Sequence, residues 1–163
     1  MRYHNITKDD MLNGEGLRTV LWVAGCSHHC PQCHNPVTWD INGGLVFDEQ
    51  AKEELFEEQK KDYVSGVTFS GGDPFHLENR EEIGALAKEI REKFPDKTIW
   101  LYTGYEWEEI CHLSFLSNID VIVDGKFKIE EKDNNLHWKG SANQRVIDVK
   151  ASLRAGEVRL YQE

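Results

Sequence analysis

Apolar and polar positions along the chain alternate between short buried runs and helical stretches. Val20-Leu21-Trp22-Val23-Ala24 is a compact apolar run, and the segment Arg18 to Ala24 predicts a buried strand bounded by the Asn13-Gly14-Glu15-Gly16 turn. Val37 to Ile41 and Asn42-Gly43-Gly44 form a loop leading to a helix capped by Asp48, running to about Lys61 with Ala51 and Leu55 on its inner face. Val64 to Phe69 predicts a second strand, ending in Ser70-Gly71-Gly72-Asp73-Pro74. A helix from about Glu78 to Phe94 carries Ile83, Leu86, Ala87, Ile90 and Phe94 at helical spacing, and Pro95 closes it. Thr98 to Tyr102 predicts the third strand and is followed by Thr103-Gly104-Tyr105. A helix from about Glu106 to Leu116 leads to a fourth strand, Ile119 to Val123, which ends at Asp124-Gly125-Lys126-Phe127. Glu130 to Asn135 reads as a solvated loop, Arg145 to Val149 as a fifth strand, and Val158 to Tyr161 as another short one.

Strands alternating with helices imply an α/β fold with a mostly parallel sheet. A complete (β/α)₈ barrel takes about 250 residues, so 163 residues predict a partial, open (β/α) barrel, folded as a single domain over 1–163. The unusual residues all follow strands. In a parallel sheet such ends share one rim, where α/β proteins bind ligands. The loop after Ala24, Ser70 to Asp73, Thr103 to Tyr105 and Asp124-Gly125 are therefore expected to build one composite site.

Composition narrows the classes. Hydrophobic residues at 39% and charged residues at 29% give an ordinary soluble balance. A net charge of −10 argues against partners that present phosphate backbones or anionic lipid, so neither nucleic acid nor membrane is expected. Met1 to Asp10 has no apolar leader, and no stretch approaches the roughly 20 apolar residues of a membrane helix. The expected location is the cytoplasm, where clustered cysteines point to metal or redox chemistry more than to disulfides.

The cluster itself is Gly25-Cys26-Ser27-His28-His29-Cys30-Pro31-Gln32-Cys33-His34-Asn35. Cys26, Cys30 and Cys33 sit within one short loop, a spacing suited to ligands of one metal centre. Two readings remain open on spacing. A [4Fe–4S] cube held by three thiolates keeps one iron open to a further ligand. A zinc site would use Cys30 and Cys33, completed by Cys26, His28, His29 or His34. For a three-cysteine cluster, His28 and His29 read as loop residues. Cys111 falls in a predicted helix and reads as a small buried hydrophobe. Gly71-Gly72 is a tight turn or a place where backbone approaches a ligand, with Asp73 available to an ammonium group. Asp124-Gly125 is a turn dipeptide, and Trp22, Phe69 and Trp100 fit core packing.

Cys26-x-x-x-Cys30-x-x-Cys33 matches the signature of the radical S-adenosylmethionine superfamily. Over nearly its whole length the chain resembles the glycyl-radical activating family that serves anaerobic ribonucleoside-triphosphate reductases. The likeness runs through Asn13 to Arg18, Asn35-Pro36-Val37-Thr38-Trp39, Ser70 to Pro74, Tyr102 to Tyr105 and Val123 to Phe127. It is most particular at Trp138-Lys139-Gly140-Ser141-Ala142-Asn143-Gln144-Arg145. The resemblance implies a barrel of the radical S-adenosylmethionine type and a [4Fe–4S] cluster on Cys26, Cys30 and Cys33. The fourth iron would take the amino and carboxylate groups of S-adenosylmethionine. Gln32, Cys33 and His34 would approach that cofactor through backbone, Gly71 and Gly72 would lie against its methionine part, and Asp73 would bridge its ammonium. Gln32 stands where the superfamily often has an aromatic residue.

The implied activity is an oxidoreductase reaction. A one-electron donor such as flavodoxin or ferredoxin reduces the cluster, S-adenosylmethionine is cleaved to methionine and a 5′-deoxyadenosyl radical, and that radical takes a hydrogen from a glycine of the large reductase subunit. No side chain is required as a general base. Alternatives are a radical enzyme acting on another glycyl-radical protein or a small molecule, and a zinc-stabilised interaction module without chemistry.

Overall fold

The computed structural model describes residues 1–30, 33 and 36–162. Its strands are β1 (Arg2–Asp10), β2 (Arg18–Val23), β3 (Leu45–Val46), β4 (Gly66–Gly71), β5 (Thr98–Tyr102), β6 (Val121–Asp124) and β7 (Arg145–Asp148). The helices are α1 (Glu49–Gln59), α2 (Arg80–Lys93), α3 (Trp107–Ile110) and α4 (Val149–Ala155). All the described strands join one sheet in the order β3-β1-β2-β4-β5-β6-β7. Its centre, β2-β4-β5-β6, is parallel, whereas β1 pairs antiparallel with β2 and β3, and β7 antiparallel with β6. The fold is therefore α/β around a parallel centre with antiparallel flanks.

Period-two alternation sorts the strand residues between the two faces. Leu21, Val23, Val67, Phe69, Ile99, Leu101 and Ile122 enter one large cluster with Leu55 of α1, Ile83 and Ile90 of α2, Ile110 of α3 and Val149 of α4. Trp100, Val121 and Val123 belong to a second cluster, packed against Tyr102, Trp138, Val146 and Tyr161. Helices thus cover one face, while the C-terminal segment covers part of the other.

Three elements depart from the sequence pattern. β1 was not expected. Only Ile6 is buried along it, so it carries no apolar alternation and is held by pairing to β2. The helix expected over Glu106 to Leu116 stops at Ile110. A capping box between Glu106 and Glu109 starts it, Leu113 is extended, and a separate 3-10 turn spans Ser114–Asn118. That break seats Phe115 against Gly84 of α2, where a Cβ would come 2.5 Å from the ring. Cys111 is consequently exposed on the helix end, not buried as expected. After β7 the chain turns into α4, an unexpected helix capped by Asp148, whose side chain accepts from the Ala151 amide. The strand expected over Val158 to Tyr161 is reduced to a single bridge between Ile147 and Leu160.

At the opposite end from the cysteines, Arg18 is fully buried at the start of β2. Its guanidinium donates to Thr68 Oγ1 at 2.8 Å, Val67 O at 2.9 Å, Thr98 O at 2.7 Å, Thr98 Oγ1 at 2.8 Å and Glu15 O at 3.0 Å. It also lies 5.6 Å from the centroid of Trp100. This one side chain ties the turn before β2 to β4 and β5.

Candidate functional site

The parallel strands deliver four loops to one rim, and a cavity of about 470 Å³ opens there. The loop after β2 contributes Cys26, His28, Cys30 and Cys33 to its wall. The end of β4 contributes Ser70, Gly71 and Gly72, the end of β5 contributes Tyr102, Thr103 and Gly104, and the loop after β6 contributes Gly125 and Phe127. Leu136, Trp138, Lys139, Gly140 and Gln144 close it from the C-terminal side, and Leu12, Asn13 and Trp22 line it as well. Trp22, read from sequence as core, thus faces the cavity and donates its indole N–H to Thr7 at 3.0 Å. Phe69 and Trp100 are buried as expected.

The thiols respond to their surroundings. Burial pushes the Cys26 thiol up to about 11, against the opposing pull of hydrogen bonds from the backbone of His28 and His29. Cys30 is also raised by burial, with opposition from a Phe127 backbone hydrogen bond and from the charge of Lys126. Backbone N–H groups and a nearby cation aimed at sulfur stabilise a thiolate and tune the metal it holds. Among the described residues no three His, Cys, Asp or Glu side chains converge as ligands of a single metal ion. A [4Fe–4S] cube bonds each thiolate to a different iron, and three thiols spread along one cavity wall fit that donor pattern.

Because a ligating thiol must lose its proton, cluster assembly on the iron-free chain is expected to accelerate from pH 7 to 9. With Cys26 near 11, its thiolate fraction rises about tenfold per pH unit over this range. Initial rates of anaerobic reconstitution, followed by visible absorbance, check this; a flat profile would contradict it.

The glycine-rich turn, which lines the same cavity as the thiols, is shaped by close backbone packing. Gly71 has φ 106°, and a Cβ there would lie 2.5 Å from Val23 N. A Cβ on Gly72 would lie 2.5 Å from Gly25 O and 2.6 Å from Thr38 O. Gly72 N donates to Val23 O and Asp73 N donates to Gly25 O, so the turn is stitched to the root of the cysteine loop.

Asp73 follows these glycines, and its side chain is 1% exposed beside the cavity-lining residues His28, Gly72, Thr103 and Gly104. It accepts hydrogen bonds from Phe75 N at 2.9 Å, Gly104 N at 2.9 Å, Thr103 Oγ1 at 2.8 and 3.0 Å, and His28 Nε2 at 2.6 Å. Turning it toward a cofactor would strand these buried donors, each at a cost of about 1–3 kcal/mol. His28, taken from sequence as an ordinary loop residue, is therefore part of the site. Its only sequence signal was its position between two candidate ligands.

Segment 138–145 is fixed by a separate network. Tyr102 donates its hydroxyl to Trp138 O at 2.6 Å, and burial pushes that phenol well above its ordinary value. The Gln144 side chain accepts from Gly140 N and Ser141 N and donates to Gly125 O. Trp138 takes φ 65°, outside the usual range for a bulky residue, and the surrounding contacts hold it there. Gln32 and His34, expected to approach a cofactor through backbone, lie outside the described residues.

Known proteins match this arrangement. Residues 12–147 fit the family model described as a 4Fe-4S single cluster domain, which is the class of protein the cysteine loop and its cavity define. Relatives similar to this chain carry the name anaerobic ribonucleoside-triphosphate reductase-activating protein. That of Enterobacteria phage T4 is 43% identical over 146 residues, covering 90% of this chain and 93% of the relative. Those of Escherichia coli (strain K12) and Salmonella typhi are each 39% identical over 150 residues, covering 90% of this chain and 97% of the relative. The chain belongs to the family of anaerobic ribonucleoside-triphosphate reductase-activating proteins.

Proposed function

We propose that the chain activates an anaerobic ribonucleoside-triphosphate reductase by placing a glycyl radical on its large subunit. The observation that carries this reading is that Cys26, Cys30 and Cys33 line the same cavity as Gly71 and Gly72. The relatives' shared name supports the choice of partner. A [4Fe–4S] cluster with bound S-adenosylmethionine would supply the chemistry, reductive cleavage to methionine and a 5′-deoxyadenosyl radical able to take a hydrogen from a glycine α-carbon.

The residues around the cavity do the rest. Cys26, Cys30 and Cys33 would hold the cluster through three of its irons, leaving the fourth for the cofactor. The backbone of Gly71 and Gly72, bare of side chains, leaves room for the methionine part of the cofactor. Trp22, Tyr102 and Trp138 wall the cavity with aromatic surface, which keeps water from a reactive radical. Helices on one face of the sheet and the cavity at its strand ends support a partial, open barrel of the radical S-adenosylmethionine type, folded as one domain over 1–163. No described helix is long and apolar enough to cross a membrane, and the chain carries a net charge of −10. A cytoplasmic protein that binds neither nucleic acid nor lipid is consistent with both. A one-electron donor such as flavodoxin or ferredoxin would supply the electron.

Anaerobically purified protein is expected to contain iron and acid-labile sulfide. Given S-adenosylmethionine, a low-potential reductant and the reductase, it should yield a glycyl-radical signal in electron paramagnetic resonance together with free methionine. Colourless protein holding stoichiometric zinc, or cluster-replete protein giving neither product, would sink the reading.

A further inference from the structure

We propose that Asp73 and His28 form a clamp that positions the cysteine loop, and that the Asp73 carboxylate serves this loop and not the ammonium of the cofactor. The proposal rests on the cluster-binding reading for its purpose, but its geometry is independent of any bound group.

His28 lies two residues after Cys26 and two before Cys30, so fixing it restricts both thiols. Its neighbours Ser27 and His29 are exposed, yet the His28 side chain is only 7% exposed. A loop imidazole is buried at little cost only when its polar atoms are paired. Here Nε2 meets Asp73 Oδ2 at 2.6 Å, which places the ring proton on Nε2 as donor to the buried carboxylate. The ring also packs edge-on to Tyr105 at 4.7 Å. It occupies the space that a side chain on Gly104 would fill, which explains a glycine at that position.

The far side of the carboxylate is equally fixed. Thr103 Oγ1 and the amides of Gly104 and Phe75 bind it from the loops after β5 and β4. One buried anion therefore joins three of the rim loops. Backbone bonds hold the root of the cysteine loop, Gly25 N to Thr38 O, Cys26 N to Trp39 O and Asp73 N to Gly25 O. His28 adds a side-chain tie to the sheet beyond them. The glycine-rich motif thereby acts in two directions, its two glycines bordering the cavity and its acid gripping the loop that carries the thiols.

The test compares His28→Phe, Asp73→Asn and the double variant in the full, anaerobically purified chain by hydrogen–deuterium exchange. Amides of the peptide around 25–30 are expected to exchange at least about tenfold faster in either single variant, with those of α2 unchanged. The double variant should be no faster than the faster single one, because both substitutions break one link. His28→Gln, which returns a side-chain N–H, should recover part of the protection. Binding is then compared for S-adenosylmethionine and its analogue lacking the α-amino group, and Asp73→Asn should keep the parent's preference. Unchanged loop exchange in His28→Phe, or loss of that preference in Asp73→Asn, overturns the proposal. If Asp73→Asn does not fold, the two His28 variants decide it through exchange alone. A chain that held no cluster would fail the proposed activity yet leave the exchange comparison intact, since amide exchange does not depend on turnover.

Discussion

Cys30→Ala is expected to leave the sheet folded while abolishing glycyl-radical formation. Cys30 is half-buried in the rim loop, outside both hydrophobic clusters, so its truncation opens no core cavity. Surface and rim substitutions of this kind usually change stability by no more than about 0.5 kcal/mol. The chemical loss is of another order. With two of the three thiolates left, one iron of the proposed cluster would lose its protein ligand. The radical signal on the reductase should fall by at least about a hundredfold, matching the 10–100-fold cost usual for lesser disturbances around a metal site. Cys111→Ala is the control. Its thiol is exposed and contributes nothing to the cavity wall, its nearest partner being Glu108 O at 3.9 Å. That variant should retain iron, sulfide and full activation. A normal radical yield from Cys30→Ala, or a large loss from Cys111→Ala, would overturn the assignment of ligands.

How far the sequence foretold this architecture depends on what each element relies upon. The parallel centre was legible because its strands are largely buried and read as short apolar runs, as Val20 to Ala24 and Val121 to Val123 do. The shared rim followed from chain order alone, and the cavity does lie at the ends of β2, β4, β5 and β6. β1 was illegible for the converse reason. A strand with charged residues at Arg2, Lys8, Asp9 and Asp10 and one buried position is specified by its neighbours, not by its own pattern. α4 was readable in principle, since Asp148 supplies an N-cap and Gly156 a left-handed stop at φ 72°, but seven residues show too little periodicity. In the site, the cysteines announced themselves by spacing. The contacts of Asp73 did not, because its partners His28 and Thr103 lie 45 and 30 residues away in the chain.

Arg18→Met is expected to destabilise the chain by about 3 kcal/mol without altering the chemistry of the rim. Two effects oppose each other. Burial pulls the guanidinium down to about 10, which still leaves it charged at neutral pH, so the fold bears the desolvation of a cation whose partners are hydroxyls and carbonyls. Removing the charge relieves that cost. Against this, methionine strands the buried carbonyl of Val67, at a cost of about 1–3 kcal/mol, and gives up the bonds to Thr68 Oγ1, Thr98 and Glu15, the last two being exposed residues. Together these losses outweigh the relief. Arg18→Lys should fall between the two, because an ammonium keeps the charge but offers three donors without the planar fork. With a urea m-value of about 1–3 kcal/mol/M, the midpoint for Arg18→Met should drop by about 1–3 M. A midpoint at or above that of the parent would mean that desolvation wins and that the network is not a source of stability. Below the unfolding transition, Arg18→Met should bind iron as the parent does, since Arg18 begins β2 whereas Cys26 follows its end. The two ends of the parallel centre then answer to different demands, hydrogen-bonded rigidity at one and open coordination at the other, as in larger barrels where one face carries stability and the opposite face catalysis.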